Sequence, residues 1–206
     1  MATTTARRGE RRDSVMRCAR EAIASDGIGN VRLEDIAHRA GMSVGHVMYY
    51  FGTRDRLLLE TLAWSETREL ALLEEELARE PSRVRRAERF VERYLPQQPR
   101  DARWGMWFEL VTTAGAPVLE ADELRAASAA WRTLFTTIVA EGVAAGSFAT
   151  DPDELAEWFM PYLDGLALEI VIAGQDGRIA TITARAVRRL HKELAGASPI
   201  DKRGLE

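Results

Sequence analysis

The side chains best placed to do chemistry in this chain are hydrogen-bonding groups rather than nucleophiles. Ser43, Val44, Gly45 and His46 stand together at the start of a short predicted helix, and Thr53 and Arg54 open the next. This set suits reading the edges of a nucleic-acid duplex. Val44 can touch a thymine methyl, and His46 can donate to or accept from a purine edge. Gly45 lets the backbone approach closely because it has no Cβ. Ser43 and Thr53 can accept hydrogen bonds as N-caps. Arg54, and Arg32 at an earlier helix start, can meet a phosphate beside free backbone N–H groups.

Short helices must hold these residues in place. Gly41 follows Ala40 where a helix should stop, since glycine accepts the positive φ that ends helices. Helices are expected over Leu33–Ala40 and Val44–Tyr50, with Val47 facing inward and Phe51 in the core. Two short helices across a glycine turn are the helix-turn-helix signature, although an ordinary helical hairpin shares the pattern. An earlier helix from about Arg8 to Ser25 shows Val15, Cys18, Ala19, Ala22 and Ile23 as one apolar stripe. Asp26-Gly27 should end it, and residues 1–6 are expected to be irregular.

Composition narrows the function classes. With 206 residues, 46% of them hydrophobic, the chain can bury a sizeable core. Its net charge of −4 is unevenly spread: residues 1–60 hold ten Lys/Arg against eight Asp/Glu, and six arginines lie within residues 1–20. A basic end on an acidic body suits a nucleic-acid-binding module joined to a domain of another purpose. Cys18 is the single cysteine, so neither a disulfide framework nor a cysteine zinc cluster is available. No His partner lies near Cys18 in sequence, and His38, His46 and His191 are scattered. No catalytic residue, metal or cofactor is expected. There is neither an apolar signal segment nor a membrane-length apolar run, so a cytoplasmic protein without membrane contact is expected.

The first ~60 residues resemble the TetR-type repressors. The resemblance rests on Ile36-Ala37, on Ala40-Gly41-Met42-Ser43, on Gly45-His46-Val47-Met48-Tyr49-Tyr50-Phe51 and on Thr53-Arg54-Asp55. It implies that Val44–Tyr50 is a recognition helix and that the hydroxyls of Tyr49 and Tyr50 reach phosphates, which position a protein without specifying sequence. Three positions depart from the pattern. Met48 replaces a frequent Tyr, Arg54 a usual Lys, and Arg32 a common Thr or Ser cap.

The remaining chain reads as six helices, making about nine in an all-α fold: a DNA-binding helix-turn-helix head over 1–53, a ligand-binding and dimerisation domain over 54–196, and a flexible tail over 197–206. Helices are expected over Arg54–Arg79, Arg83–Leu95, Asp101–Ala114, Glu120–Ala145 and Asp151–Ala173, with a last one ending near Ala195. Pro96-Gln97-Gln98-Pro99 reads as a linker, Gly115-Ala116-Pro117 as a stop, and Gly174–Gly177 as a turn. The helix to Ala173 is apolar on two faces and must be covered on both. One face can pack on its own body, and the other calls for a second copy. A two-fold homodimer would match a palindromic operator.

The body also carries aromatic and acidic side chains suited to an effector. Trp104, Trp107, Phe108, Glu109, Trp131, Phe135, Trp158, Phe159, Tyr162 and Asp164 are the candidates. Asp164 and Glu169 interrupt an apolar run, which is costly unless each finds a partner. Aromatic faces with a buried carboxylate would suit a cationic amine, by cation–π attraction and charge pairing. Tyr162-Leu163-Asp164-Gly165-Leu166 also looks like the C-terminal domain of BetI-type regulators, a choline-responsive branch. The partners expected are double-stranded DNA, a small-molecule effector (a cationic amine or a hydrophobic compound) and a second copy. A ligand-responsive repressor is the reading that unites them. A helical adaptor or ligand carrier without DNA binding is the alternative.

Overall fold

Helix boundaries fall where the chain supplies caps. A computed structural model describes residues 2–99, 101–114, 122–173 and 176–196. These form nine α-helices: α1 Ala2–Asp26, α2 Leu33–Arg39, α3 Val44–Phe51, α4 Arg54–Arg79, α5 Arg83–Tyr94, α6 Ala102–Ala114, α7 Asp122–Ala144, α8 Pro152–Ala173 and α9 Asp176–Leu194. A short 3₁₀ turn, Ile28–Asn30, joins α1 to α2. No strand occurs among the described residues, and none of their helices is long and apolar enough to cross a membrane. The all-α reading therefore stands.

The caps act as their residue types require. Ser82 Oγ accepts from the Arg85 N–H at the start of α5. Asp151 Oδ1 accepts from both the Asp153 and Glu154 N–H groups, with Pro152 in the first turn of α8, where a missing N–H costs nothing. One boundary differs from expectation: α1 begins at Ala2, not near Arg8. No proline interrupts residues 2–8, and Gly9 alone does not stop the helix. The expected stop at Gly115–Pro117, the tail over 197–206, and residues 174 and 175 of the expected turn lie outside the described residues.

The chain forms two compact units. The first comprises the described residues of 1–70 and 100–128. Its core gathers Val15, Ala19 and Ile23 of α1, Ile36 of α2, Val47 and Phe51 of α3, Leu57, Leu58 and Leu62 of α4, and Met106 and Leu110 of α6. The sequence boundary at 53/54 falls inside this unit. The second comprises the described residues of 71–99 and 129–206. Here α9 packs on α5 and α8, and the core includes Phe90, Phe135, Ile138, Phe159, Leu163, Ile182 and Leu190. The helices α4 and α7 each contribute residues to both units.

Helix α8 runs through Pro161 without interruption. Leu155, Ala156, Phe159, Met160, Leu163, Leu166, Ala167 and Ile170 are buried, so most of both expected stripes turns inward. The apolar side chains left outward are Leu168 and Ile172, at 41% and 74% exposure.

Candidate functional site

In the first unit, a buried anchor holds a short exposed helix. Val47 and Phe51 sink α3 into the core, where Val47 is wholly buried. Burying such a side chain contributes about 1.5–3 kcal/mol, which an eight-residue helix cannot obtain from propensity alone. Gly41, at φ +64°, makes the turn from α2. Ser43 Oγ then accepts from the His46 N–H at 3.3 Å. The opposite face of α3 is open: Gly45 and His46 are exposed, and Tyr49 is 71% exposed. Val44 and Tyr50 are half-buried and pack against the same core. The Tyr49 ring meets Tyr50 edge-on at 5.5 Å.

The arginines divide. Arg32 is exposed at the N-cap of α2, where its backbone N–H donates to Asp35 Oδ2 at 3.2 Å. This is half of a capping box, because arginine has no acceptor to complete it. Thr53 Oγ1 caps α4 by accepting from the Arg56 N–H at 3.1 Å. Arg54 turns into its own unit, donating to the Ile28 carbonyl at 3.1 Å and to Glu109 Oε1 at 3.5 Å. Sequence reasoning missed Arg12. Its guanidinium donates to the Tyr50 carbonyl at 2.6 Å, pairs with Glu60 and lies 4.6 Å from the Phe51 ring centroid. It therefore ties the C-terminal end of α3 to α1 and α4. Burial, followed by the nearby charges of Arg8 and Arg56, lowers its pKa from the ordinary value. The four-residue spacing Arg8-Arg12-Met16 was the available signal, since it prolongs the stripe that α1 turns inward.

The ten effector candidates fall into two groups. Trp104, Trp107, Phe108 and Glu109 lie on α6 in the first unit. Trp104 stands 5.8 Å from Phe108, Trp107 packs against the head core, and Glu109 meets Arg54. The other six lie in the second unit, where the rings form one continuous array. Trp131 meets Phe90 and Tyr94 edge-on at 5.7 and 5.2 Å. Phe90 contacts Phe135 at 5.0 Å, Phe135 stacks on Phe159 at 5.6 Å, and Phe159 leads on to Trp158 and Tyr162. Phe90 and Tyr94 were not foreseen, because α5 is otherwise dominated by Arg and Glu.

Asp164 and Glu169, the two acids that interrupt the apolar run of α8, both have partners. Tyr94 donates its hydroxyl to Asp164 Oδ1 at 2.6 Å, while Glu169 pairs with Arg178 and Arg185. Asp164 is exposed in this chain, which corrects the expectation of a buried carboxylate. The face of Trp158 already has a cation over it, the Arg189 guanidinium at 5.1 Å. Among the described residues, no cluster of three or more His, Cys, Asp or Glu could hold a metal ion.

The fold and the exposed face of α3 define a helix-turn-helix DNA-binding protein with a helical body. Comparison with known families agrees. The model for bacterial regulatory proteins of the TetR family matches residues 15–61, and that for the C-terminal part of BetI-type transcriptional repressors matches residues 81–195. The chain belongs to the TetR family of DNA-binding transcriptional regulators, with a C-terminal domain of BetI type. It is a regulator and not an enzyme.

No curated protein matches the chain, but many solved structures share its fold. A TetR transcription regulator from Haloarcula marismortui aligns with a TM-score of 0.75 at 18% identity, covering 90% of this chain and 99% of that one. A TetR-family regulator from Rhodococcus sp. gives 0.71 at 24%, with coverage of 90% and 99%. A transcriptional regulator from Saccharomonospora viridis, solved in complex with choline, gives 0.72 at 26%, covering 89% of this chain and 96% of that one.

Proposed function

We propose that this regulator is a cytoplasmic repressor that grips a palindromic operator as a homodimer and releases it when a small cationic amine binds its second unit. The observation behind the DNA half is the anchored α3, which presents Gly45, His46 and Tyr49 to solvent while Val47 and Phe51 hold it. His46 and Val44 read base edges, and Tyr49 donates to a phosphate. Arg32 is a second phosphate contact. Tyr50, half-buried, and Arg54, engaged by Ile28 and Glu109, serve chiefly to hold the head together.

The effector half rests on the array from Tyr94 to Tyr162, with Asp164 at one end. Aromatic faces and a carboxylate are what a quaternary ammonium requires, and the Saccharomonospora viridis relative binds choline. A neutral hydrophobic effector is the second reading. It is favoured by the exposure of Asp164 and by the Tyr94 hydroxyl already on it. In either case the ligand shifts DNA binding only by its differential affinity for the two states. A ~100-fold release requires roughly 2.7 kcal/mol. The helices α4 and α7, which run through both units, are the proposed route.

The test is a salt titration of binding to DNA upstream of the protein's own gene, with wild type and Tyr49→Phe, followed by choline and neutral analogues added to the complex. Selective binding that weakens steeply with salt, a uniform loss in Tyr49→Phe and release by choline are expected. Release only by uncharged compounds would replace the amine with the second reading. If no duplex is selected even from a random pool, the DNA reading fails.

A further inference from the structure

The basic first turns of α1 lie outside the helix-turn-helix motif. Arg7, Arg8 and Arg11 are exposed, and among the described residues none of them pairs with an acid. On the same helix, Arg12 pairs with Glu60 and Arg20 with Glu69. At 3.6 residues per turn, Arg7, Arg8 and Arg11 share an arc of about 100°, with Asp13 on the opposite side of the helix and Glu10 about 60° beyond Arg7. Arg8 and Arg12 continue the four-residue spacing of buried Met16, so the inward stripe of α1 becomes basic where it passes the edge of the core. There the Arg8 guanidinium stands 5.9 Å from the ring centroid of Tyr49, the exposed aromatic of α3.

Guanidiniums free of acid partners, spaced by a helix and set beside the recognition helix, match one partner well. A duplex backbone offers a row of phosphates to such forks, and neutralising them releases condensed counterions. We infer that the first turns of α1 form a second DNA contact, with Arg7, Arg8 and Arg11 on the phosphates flanking the groove that α3 enters. This rests on the DNA-binding reading and extends it to residues outside the motif. The contact supplies affinity and salt dependence, but no sequence preference, since phosphates are the same at every step.

The experiment compares full-length wild type with two triple variants, Arg7→Gln/Arg8→Gln/Arg11→Gln and the same three positions changed to Lys. The probe is a duplex that wild type selects from a random pool, with Kd measured across a salt series. In the Gln variant the slope of log K against log salt should shrink by about 0.9 for each phosphate that a head no longer neutralises. Its helix content and unfolding temperature should match wild type, and its preference over scrambled duplex should persist. The Lys variant should keep the wild-type slope. A Gln variant with the wild-type slope and affinity would overturn the inference while leaving the DNA reading intact. A Gln variant that unfolds would also overturn it, by showing these side chains to be structural. If wild type itself selects no duplex, both readings fall.

Discussion

Gly142 lies two residues before the end of α7, beneath the Phe148 ring. The last turn closes as a Schellman motif: the Ser147 N–H donates to the Gly142 carbonyl at 2.8 Å and the Gly146 N–H to Val143 at 2.9 Å, with Gly146 at φ +69°. This return folds Phe148 back over the helix, where it is buried. A Cβ on Gly142 would overlap that ring. Gly142→Ala should therefore destabilise by about 1–3 kcal/mol, as overpacking does, although alanine is the better helix former. Thermal unfolding checks this: the midpoint should fall by about 2–4 °C for each kcal/mol of stability removed. A midpoint equal to wild type would mean that Phe148 moves aside at no cost. The sequence reading ended this helix at Ala145 but did not foresee the contact, because only the folded return brings residue 148 onto residue 142. Tyr94 and Asp164 met in the same unforeseen way, from helices seventy positions apart.

At the scale of elements, much was legible because the cues are local. Gly41, Ser43, Thr53, Ser82 and Asp151-Pro152 mark helix ends through backbone chemistry that acts within four residues, and the expected boundaries of α3 to α9 lie within a few residues of those observed. What was hidden is how helices face one another. Arg54 read as a phosphate ligand from its place at a helix start, yet it turns to Ile28 and Glu109. Four of the effector candidates belong to α6 in the first unit, a division that periodicity cannot reveal. The cap on α3 yields a prediction at this scale. The helix has eight residues, and the Ser43 hydroxyl accepts one of its unpaired N–H groups. Ser43→Ala should cost about 0.5–2 kcal/mol, whereas Ser43→Asp should retain stability by capping equally well. Chemical denaturation separates the two. Asp should nonetheless weaken DNA binding, because it sets a negative charge beside the phosphates. Unchanged DNA affinity in Ser43→Asp would move the contact surface away from the start of α3.

At the scale of the whole molecule, one α8 face must be accounted for. Leu168 and Ile172 stand one turn apart, both exposed, beside Gly165 and next to a shallow depression lined by Gly165, Leu168, Glu169, Ile172, Ala173 and Arg178. Small and aliphatic groups on one helical face let a second helix approach closely. Charged rims at Glu169 and Arg178 then suit the edge of an interface better than its centre. A two-fold axis through such a face would set each patch on its own copy, as an isologous dimer requires. An operator with two-fold symmetry would then be read by two copies of α3, and a monomer would hold only half of it. Leu168→Glu/Ile172→Glu should convert a wild-type dimer to monomer in sedimentation at micromolar concentration. Helix content should be unchanged, since neither side chain is buried in the single chain. Binding to a full palindrome should fall towards that of a half-site, losing most of the gain from linking two heads. A variant that remains dimeric would place the interface on another face. A wild type that sediments as a monomer yet binds the palindrome tightly would mean that the two heads meet only on DNA.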